Sequence, residues 1–198
     1  MGSNRPRTLA REQRRRRIEQ AALELFRAKG FDQVTVEEVC AAAEAAPATF
    51  YRHFGSKEEV VFAYRDDFTA AMQDALSAVA GLPEAERLPV VLARFAEFLE
   101  SQQEVLALRD EIVLGHPRLM QRTLSVQRDL EAVLAAGLAG HRGAAPTDPA
   151  ALLEAGVGLL VLRVAVRRWR AGGRGSLSEM TQATLADLYA LAARDGGS

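Results

Sequence analysis

The sequence is poor in the residues that catalysis and cross-linking most often use: of its 198 residues one is cysteine, one tryptophan and three histidine, and aromatic residues make up only 6%. A lone cysteine, Cys40, excludes an intrachain disulfide. The histidines (His53, His116, His141) lie in separate segments, and no carboxylate or cysteine cluster stands at ligand spacing beside them, so neither a metal nor a cofactor is expected. A serine nucleophile elbow and a glycine-rich phosphate loop are also missing, so nothing asks for an enzyme. Runs of β-branched residues are few. Hydrophobic residues nevertheless reach 48%, with Ala and Leu abundant, and that combination favours an all-α fold. The arginine-rich N-terminus has no apolar segment behind it of the kind a signal peptide carries. The longest apolar run, 155–166, is interrupted by Arg163 and is shorter than a bilayer crossing needs. A soluble, cytoplasmic protein is expected.

The formal net charge of −1 hides an asymmetry. Residues 1–30 hold nine basic groups against three acidic ones, the footprint of a surface that meets phosphates. Within it, residues 1–10 read as a disordered arm. The Arg14 to Arg17 run follows on a helix, with Arg14 and Arg17 as candidate phosphate contacts.

What this basic end flanks is the stretch 35–54. Thr35 is a good helix N-cap, and Glu38 can close a capping box with it. Val36, Val39, Cys40 and Ala43 then recur at helical spacing. The pattern breaks at Glu44, and Pro47 suits the first turn of a second helix because its missing N–H has no intrahelical role there. In that helix Phe50 and Phe54, four apart, face inward. Ala46, Pro47, Ala48, Thr49, Tyr51, Arg52 and His53 are left to cover the outer faces. A short helix with small residues at its start and hydrogen-bonding groups behind them suits insertion into a DNA major groove.

This stretch and its flanks resemble the DNA-binding domain of the TetR family of transcriptional regulators. The resemblance is carried by Ile18, Ala21, Ala22, Leu25, Phe26 and Gly30-Phe31, then Thr35-Val36, the run from Thr49 to Phe54, and Lys57-Glu58. It implies that Thr35, Tyr51, His53 and Lys57 touch the DNA backbone. Two positions depart from the family pattern. Its usual turn glycine is Glu44 here, at a site that favours φ > 0. Its usual serine cap is Ala46, so base reading must shift to backbone groups, apolar contacts and other side chains.

Beyond residue 56 the periodicity predicts helices over about 57–79, 84–101, 103–114, 117–139, 148–170 and 177–193. The expected division is therefore an arm (1–10), a helix-turn-helix domain (11–56) and a ligand-binding and dimerisation bundle (57–198), about nine helices in all. The helix from Asp148 reads as apolar nearly all round and hence buried on every side, with Gly156 and Gly158 admitting a close neighbour. By resemblance, the last two helices pair with their copies in a homodimer that binds a palindromic double-stranded operator. A ligand chamber is expected from Phe95, Phe98, Leu99, Leu106, Ile112, Val113, Leu124 and Leu160, with Arg109, Gln127, Arg128 and Arg163 as polar anchors. Arg163 reads equally well as a salt-bridge partner of Asp110, Glu111 or Glu154.

The run from Leu108 to Val113, with His116-Pro117, Leu119 and Arg167-Arg168-Trp169, resembles a mostly actinobacterial, mycofactocin-regulator-like subgroup associated with acyl-CoA-like ligands. Together these resemblances imply a DNA-binding repressor released by a small apolar or amphipathic effector. The alternatives are an architectural DNA-binding protein without an effector, or an uncharacterised helical enzyme.

Overall fold

The computed structural model describes residues 5–195, with side chains from residue 9 to residue 193. Among them every regular element is helical. In chain order these are α1 (Arg5–Lys29), α2 (Val36–Ala42), α3 (Pro47–Phe54), α4 (Lys57–Val61), α5 (Arg65–Ser77), α6 (Glu84–Ser101), α7 (Gln103–Leu114), α8 (Pro117–His141), α9 (Pro149–Arg170) and α10 (Leu177–Asp195). Counting the one-turn α4 with α5 leaves the nine that periodicity suggested. Of the arm expected over residues 1–10, residues 1–4 lie outside the described residues, and from Arg5 onward the chain is helical.

The chain divides into two compact units, one of residues 1–66 with 104–123, the other of 67–103 with 124–198. The cut falls elsewhere than the expected boundary at residue 56, because α7 and the first turns of α8 belong with the N-terminal helices. The core of the first unit is Ile18, Ala22, Phe26, Val34, Val39, Phe50, Val60, Val61 and Phe62. That of the second gathers Met72, Leu88, Val91, Leu92, Phe95, Leu134, Leu138, Val161, Leu162 and Leu185. Each of the larger side chains, fully buried, contributes about 1.5–3 kcal/mol.

The one helix expected from 57 to 79 is interrupted at Phe62–Tyr64. Guanidinium groups from elsewhere in the first unit explain the break. Arg15 Nη2 donates to the Ala63 carbonyl at 2.6 Å, and Arg109 Nη1 donates to the carbonyls of Val60 and Val61. Those oxygens would otherwise accept from amides four residues on. The turn tightens instead to three-residue bonds, from Ala63 N to Val60 O and from Arg65 N to Phe62 O.

At the turn between α2 and α3, Glu44 has φ 51°, the one positive φ outside glycine among the described residues. A β-carbon in that region costs about 1–2 kcal/mol. Glu44→Gly is expected to raise stability by about 0.5–1 kcal/mol, after the entropy glycine adds to the unfolded chain. A higher urea midpoint at unchanged slope would show it.

Three expectations for the second unit need correction. The helix from Asp148, now α9, is not buried all round. Ala151, Ala155, Gly158, Val161, Leu162 and Ala165 are covered, whereas Leu152, Leu153, Val157, Leu160 and Val164 are exposed. Gly158 admits the side chains of Leu88, Leu92 and Leu134 rather than a backbone. Arg163 falls on the uncovered side and is itself exposed, so it needs no buried partner in this chain. By length and composition alone, the 22 residues of α9, though not the shorter run 155–166 within it, could cross a bilayer. Its inner face, however, packs on α6 and α10.

Candidate nucleic-acid interface

Geometry around the recognition helix begins with how α2 is started. Thr35 Oγ1 accepts from the Glu38 amide (3.2 Å) and Glu38 Oε2 accepts from the Thr35 amide (2.9 Å), the reciprocal box its sequence implied. Lys29 Nζ reaches the other carboxylate oxygen at 2.6 Å. That ammonium, followed by the Thr35 amide, pulls the Glu38 carboxyl down to about 2. The Thr35 hydroxyl is thus already engaged in holding α2.

Pro47 opens α3 behind Ala46, which has no side-chain cap. Phe50 and Phe54 are buried, with ring centroids 5.6 Å apart. Their four-residue spacing therefore turns the opposite side of α3 outward. Ala46, Pro47, Ala48 and Arg52 are exposed, Tyr51 is 52% exposed, and Thr49 and His53 are half-buried. Arg52 Nη2 donates to Thr49 Oγ1 at 3.3 Å. Gly55, with φ 75°, ends the helix.

His53 marks where charge gathers. Its imidazole is pushed below the ordinary histidine range by burial first, and then by Arg11, Arg52, Arg15 and Arg14. Arginines of α1 and α3 thus converge on one spot. Arg14 is among them; Arg17 is exposed and is not. Sequence reading placed Arg15 within the phosphate-meeting run 14–17 and Arg11 among the basic N-terminal groups without singling out either, although 11, 14, 15 and 18 are spaced as one helix face. Arg15 also has its guanidinium carbon 5.9 Å from the Phe54 ring centroid.

Lys57 has a second occupation. Its Nζ donates to the carbonyls of Phe31 (3.0 Å) and Val34 (2.7 Å) and lies 4.8 Å from the Phe31 ring centroid. It ties the loop after α1 to the start of α4. Cys40, 3% exposed, packs under α2, and burial, helped by Glu37, raises its thiol above the usual cysteine range.

The expected ligand-binding residues are divided between the two units. Leu106, Arg109, Ile112 and Val113 fall in the first unit, the rest in the second. Arg109, 2% exposed, is committed to Glu19, to the Val60 and Val61 carbonyls, and to the face of Tyr64. A buried guanidinium requires a carboxylate, and it has one on α1; the anchor role expected of it is displaced. In the second unit Phe95 is buried and Phe98 and Leu99 are half-buried, and Phe68 meets both phenylalanines edge-on at 5.7 Å. Leu124, Gln127, Arg128, Leu160 and Arg163 are exposed instead of lining an interior.

Comparison with known proteins settles what carries this arrangement. The family model "Bacterial regulatory proteins, tetR family" matches residues 18–64, and the model "MftR C-terminal domain" matches residues 82–193. The chain belongs to the TetR family. It is a DNA-binding transcriptional regulator whose second part is of the MftR type. Among curated relatives, TcmR of Streptomyces glaucescens is 48% identical over 56 residues, 26% of this chain and 25% of its own length. MftR of Mycobacterium tuberculosis is 27% identical over 132 residues, 66% of this chain and 67% of its own. The chain thus spans about a quarter of TcmR and two thirds of MftR. Among solved structures, the TetR-family repressor FadR of Thermus thermophilus, bound to lauroyl-CoA, is 26% identical. It aligns with a TM-score of 0.58 over 87% of this chain and 91% of that one.

Proposed function

We propose that this TetR-family chain is a homodimeric repressor that holds a palindromic operator until an amphipathic effector of the fatty acyl-CoA class releases it. The observation that carries the dimer is the uncovered stripe of α9. Leu153, Val157, Leu160 and Val164 recur at steps of four, three and four, with Leu153 70% exposed. Tyr189 and Leu191 of α10 are exposed as well. Contiguous apolar surface of this kind on a chain with a complete core marks an interface. A two-fold copy covers it with itself, and sets two recognition helices about 34–36 Å apart, one per major groove turn.

On the DNA, Arg14, Tyr51 and His53 meet phosphates while α3 enters the groove. Arg17 and Lys57 stand beside them, Lys57 through the one ammonium proton its two carbonyl bonds leave over, whereas Thr35 reaches a phosphate only by giving up the hydroxyl bond it donates to Glu38. The effector class rests on the FadR likeness and on the Phe68, Phe95 and Phe98 cluster, with Arg128 and Arg163 of the same unit available to a phosphate-bearing head. Release requires that the effector bind one state of the dimer more tightly than the other.

Fluorescence anisotropy of a palindrome selected from a random pool, titrated with lauroyl- and stearoyl-CoA at fixed salt, tests both parts. Tight binding to the palindrome over random DNA, lost on titration, is the expected result. Equal affinity for both DNAs would make the protein an architectural binder. Binding untouched by either thioester would remove the effector class.

A further inference from the structure

The start of α3 is unusual for a surface that must distinguish bases. Ala46, Pro47 and Ala48 are all exposed, carry no side-chain donor or acceptor, and Pro47 lacks even an amide proton. We infer that this helix reads its half-site by two contacts of different kind: thymine methyl groups against the apolar start, Pro47 and Ala48 above all, and one guanine against Arg52. The inference rests on the DNA-binding reading above and adds to it which base edges are recognised.

The first contact follows from what the major groove offers. Its one apolar feature is the C5-methyl of thymine; every other distinguishing group is a donor or an acceptor. A pyrrolidine ring and an alanine β-carbon can gain from the methyl and from nothing else there. Their small size also lets the helix backbone approach the bases closely.

The second contact follows from register. Arg52 stands four residues after Ala48, on the same face one turn on. Side chains on a helix lean toward its N-terminus, and here the lean is fixed, because Thr49 Oγ1 accepts from Arg52 Nη2 at 3.3 Å. The guanidinium is thereby carried back toward the end that enters the groove. Its remaining N–H groups match the paired acceptors O6 and N7 of guanine. Thr49 is a positioning residue in this arrangement. Arg52 is one of the arginines near His53, but it stands on α3 itself and is exposed, whereas Arg14 reaches that spot from α1.

The test changes single atoms of the DNA. In the selected operator each thymine is replaced in turn by deoxyuridine, and each guanine by 7-deazaguanine, with affinity read at several salt concentrations. At one or two thymines per half-site, loss of the methyl should weaken wild-type binding about fourfold, and Ala48→Gly should blunt the effect. One guanine should be sensitive to loss of N7. Arg52→Ala should weaken the operator about tenfold to a hundredfold, remove that sensitivity and leave the salt slope unchanged. Arg52→Lys should not rescue. Thr49→Val should lower guanine discrimination at an unchanged slope, and Thr49→Ser restore it.

The assignment is overturned if deoxyuridine is tolerated everywhere. It is equally overturned if Arg52→Ala weakens all sequences alike and lowers the salt slope by about one, the mark of a phosphate contact. Both results leave the operator-binding reading standing. If the pool yields no preferred sequence, that reading fails and this one with it.

Discussion

Arg109→Ala is expected to destabilise the unit that carries the recognition helix by about 3–5 kcal/mol. The side chain is almost wholly buried and does three things at once. It neutralises Glu19 on α1, whose side chain is only 14% exposed. It satisfies carbonyls at the end of α4, and it lies with its guanidinium carbon 5.0 Å from the Tyr64 ring centroid. Alanine leaves a carboxylate in poor contact with water and carbonyls without their donor, each of which costs more than the original bond contributed. Glu19→Gln should cost less, because a neutral amide still accepts from the guanidinium. The double variant Arg109→Ala with Glu19→Ala should cost less than the sum of the two single changes, since no charge is stranded. Urea unfolding supplies the free energies, and amide exchange should place the loss in α1 and α4 while α9 and α10 keep their protection. A loss below about 1 kcal/mol would mean that the cluster does not hold α7 to the N-terminal helices.

The other large effect is expected at the α9 stripe. In the proposed dimer, Leu160→Glu should leave monomers at micromolar concentration and weaken operator binding by at least about a hundredfold, because the second half-site is no longer held at high effective concentration. Two-fold symmetry brings the substitution into the interface from both subunits, so two carboxylates are buried near one another instead of two leucines. The fold should survive, since Leu160 is 49% exposed in the single chain. Sedimentation gives the association state and circular dichroism the fold. A variant that stays dimeric would move the interface off α9. One that is monomeric yet binds the operator as before would separate dimerisation from recognition.

Local chemistry was legible in the sequence. The capping box at Thr35, the proline start of α3 and the inward pair Phe50 and Phe54 each depend on neighbours within four residues, and so does the strain at Glu44. What was not legible depends on distant partners. Arg109 stands 90 residues from Glu19, so nothing near it in the chain showed that its partner is on α1, and it looked like a ligand anchor. The break between α4 and α5 is invisible for the same reason, because the donors that take its carbonyls lie 48 residues or more away. Lys57 matches the family motif, but nothing local reveals that it holds the carbonyls of Phe31 and Val34, 26 and 23 residues away. Periodicity also cannot separate an apolar side chain covered by its own chain from one awaiting another. That is why α9 read as buried all round.

Cys40 has a practical consequence. The chain's only sulfhydryl is shut beneath α2 and held protonated, so alkylating dyes and spin labels will pass it by while the protein stays folded. A single new attachment point, such as Glu24→Cys on the exposed side of α1, can therefore be tagged with the native cysteine left in place. The proposed homodimer, so tagged, would hold two identical probes and give one ruler, from which the spread of the two reading heads can be followed in solution as DNA and candidate effectors are added.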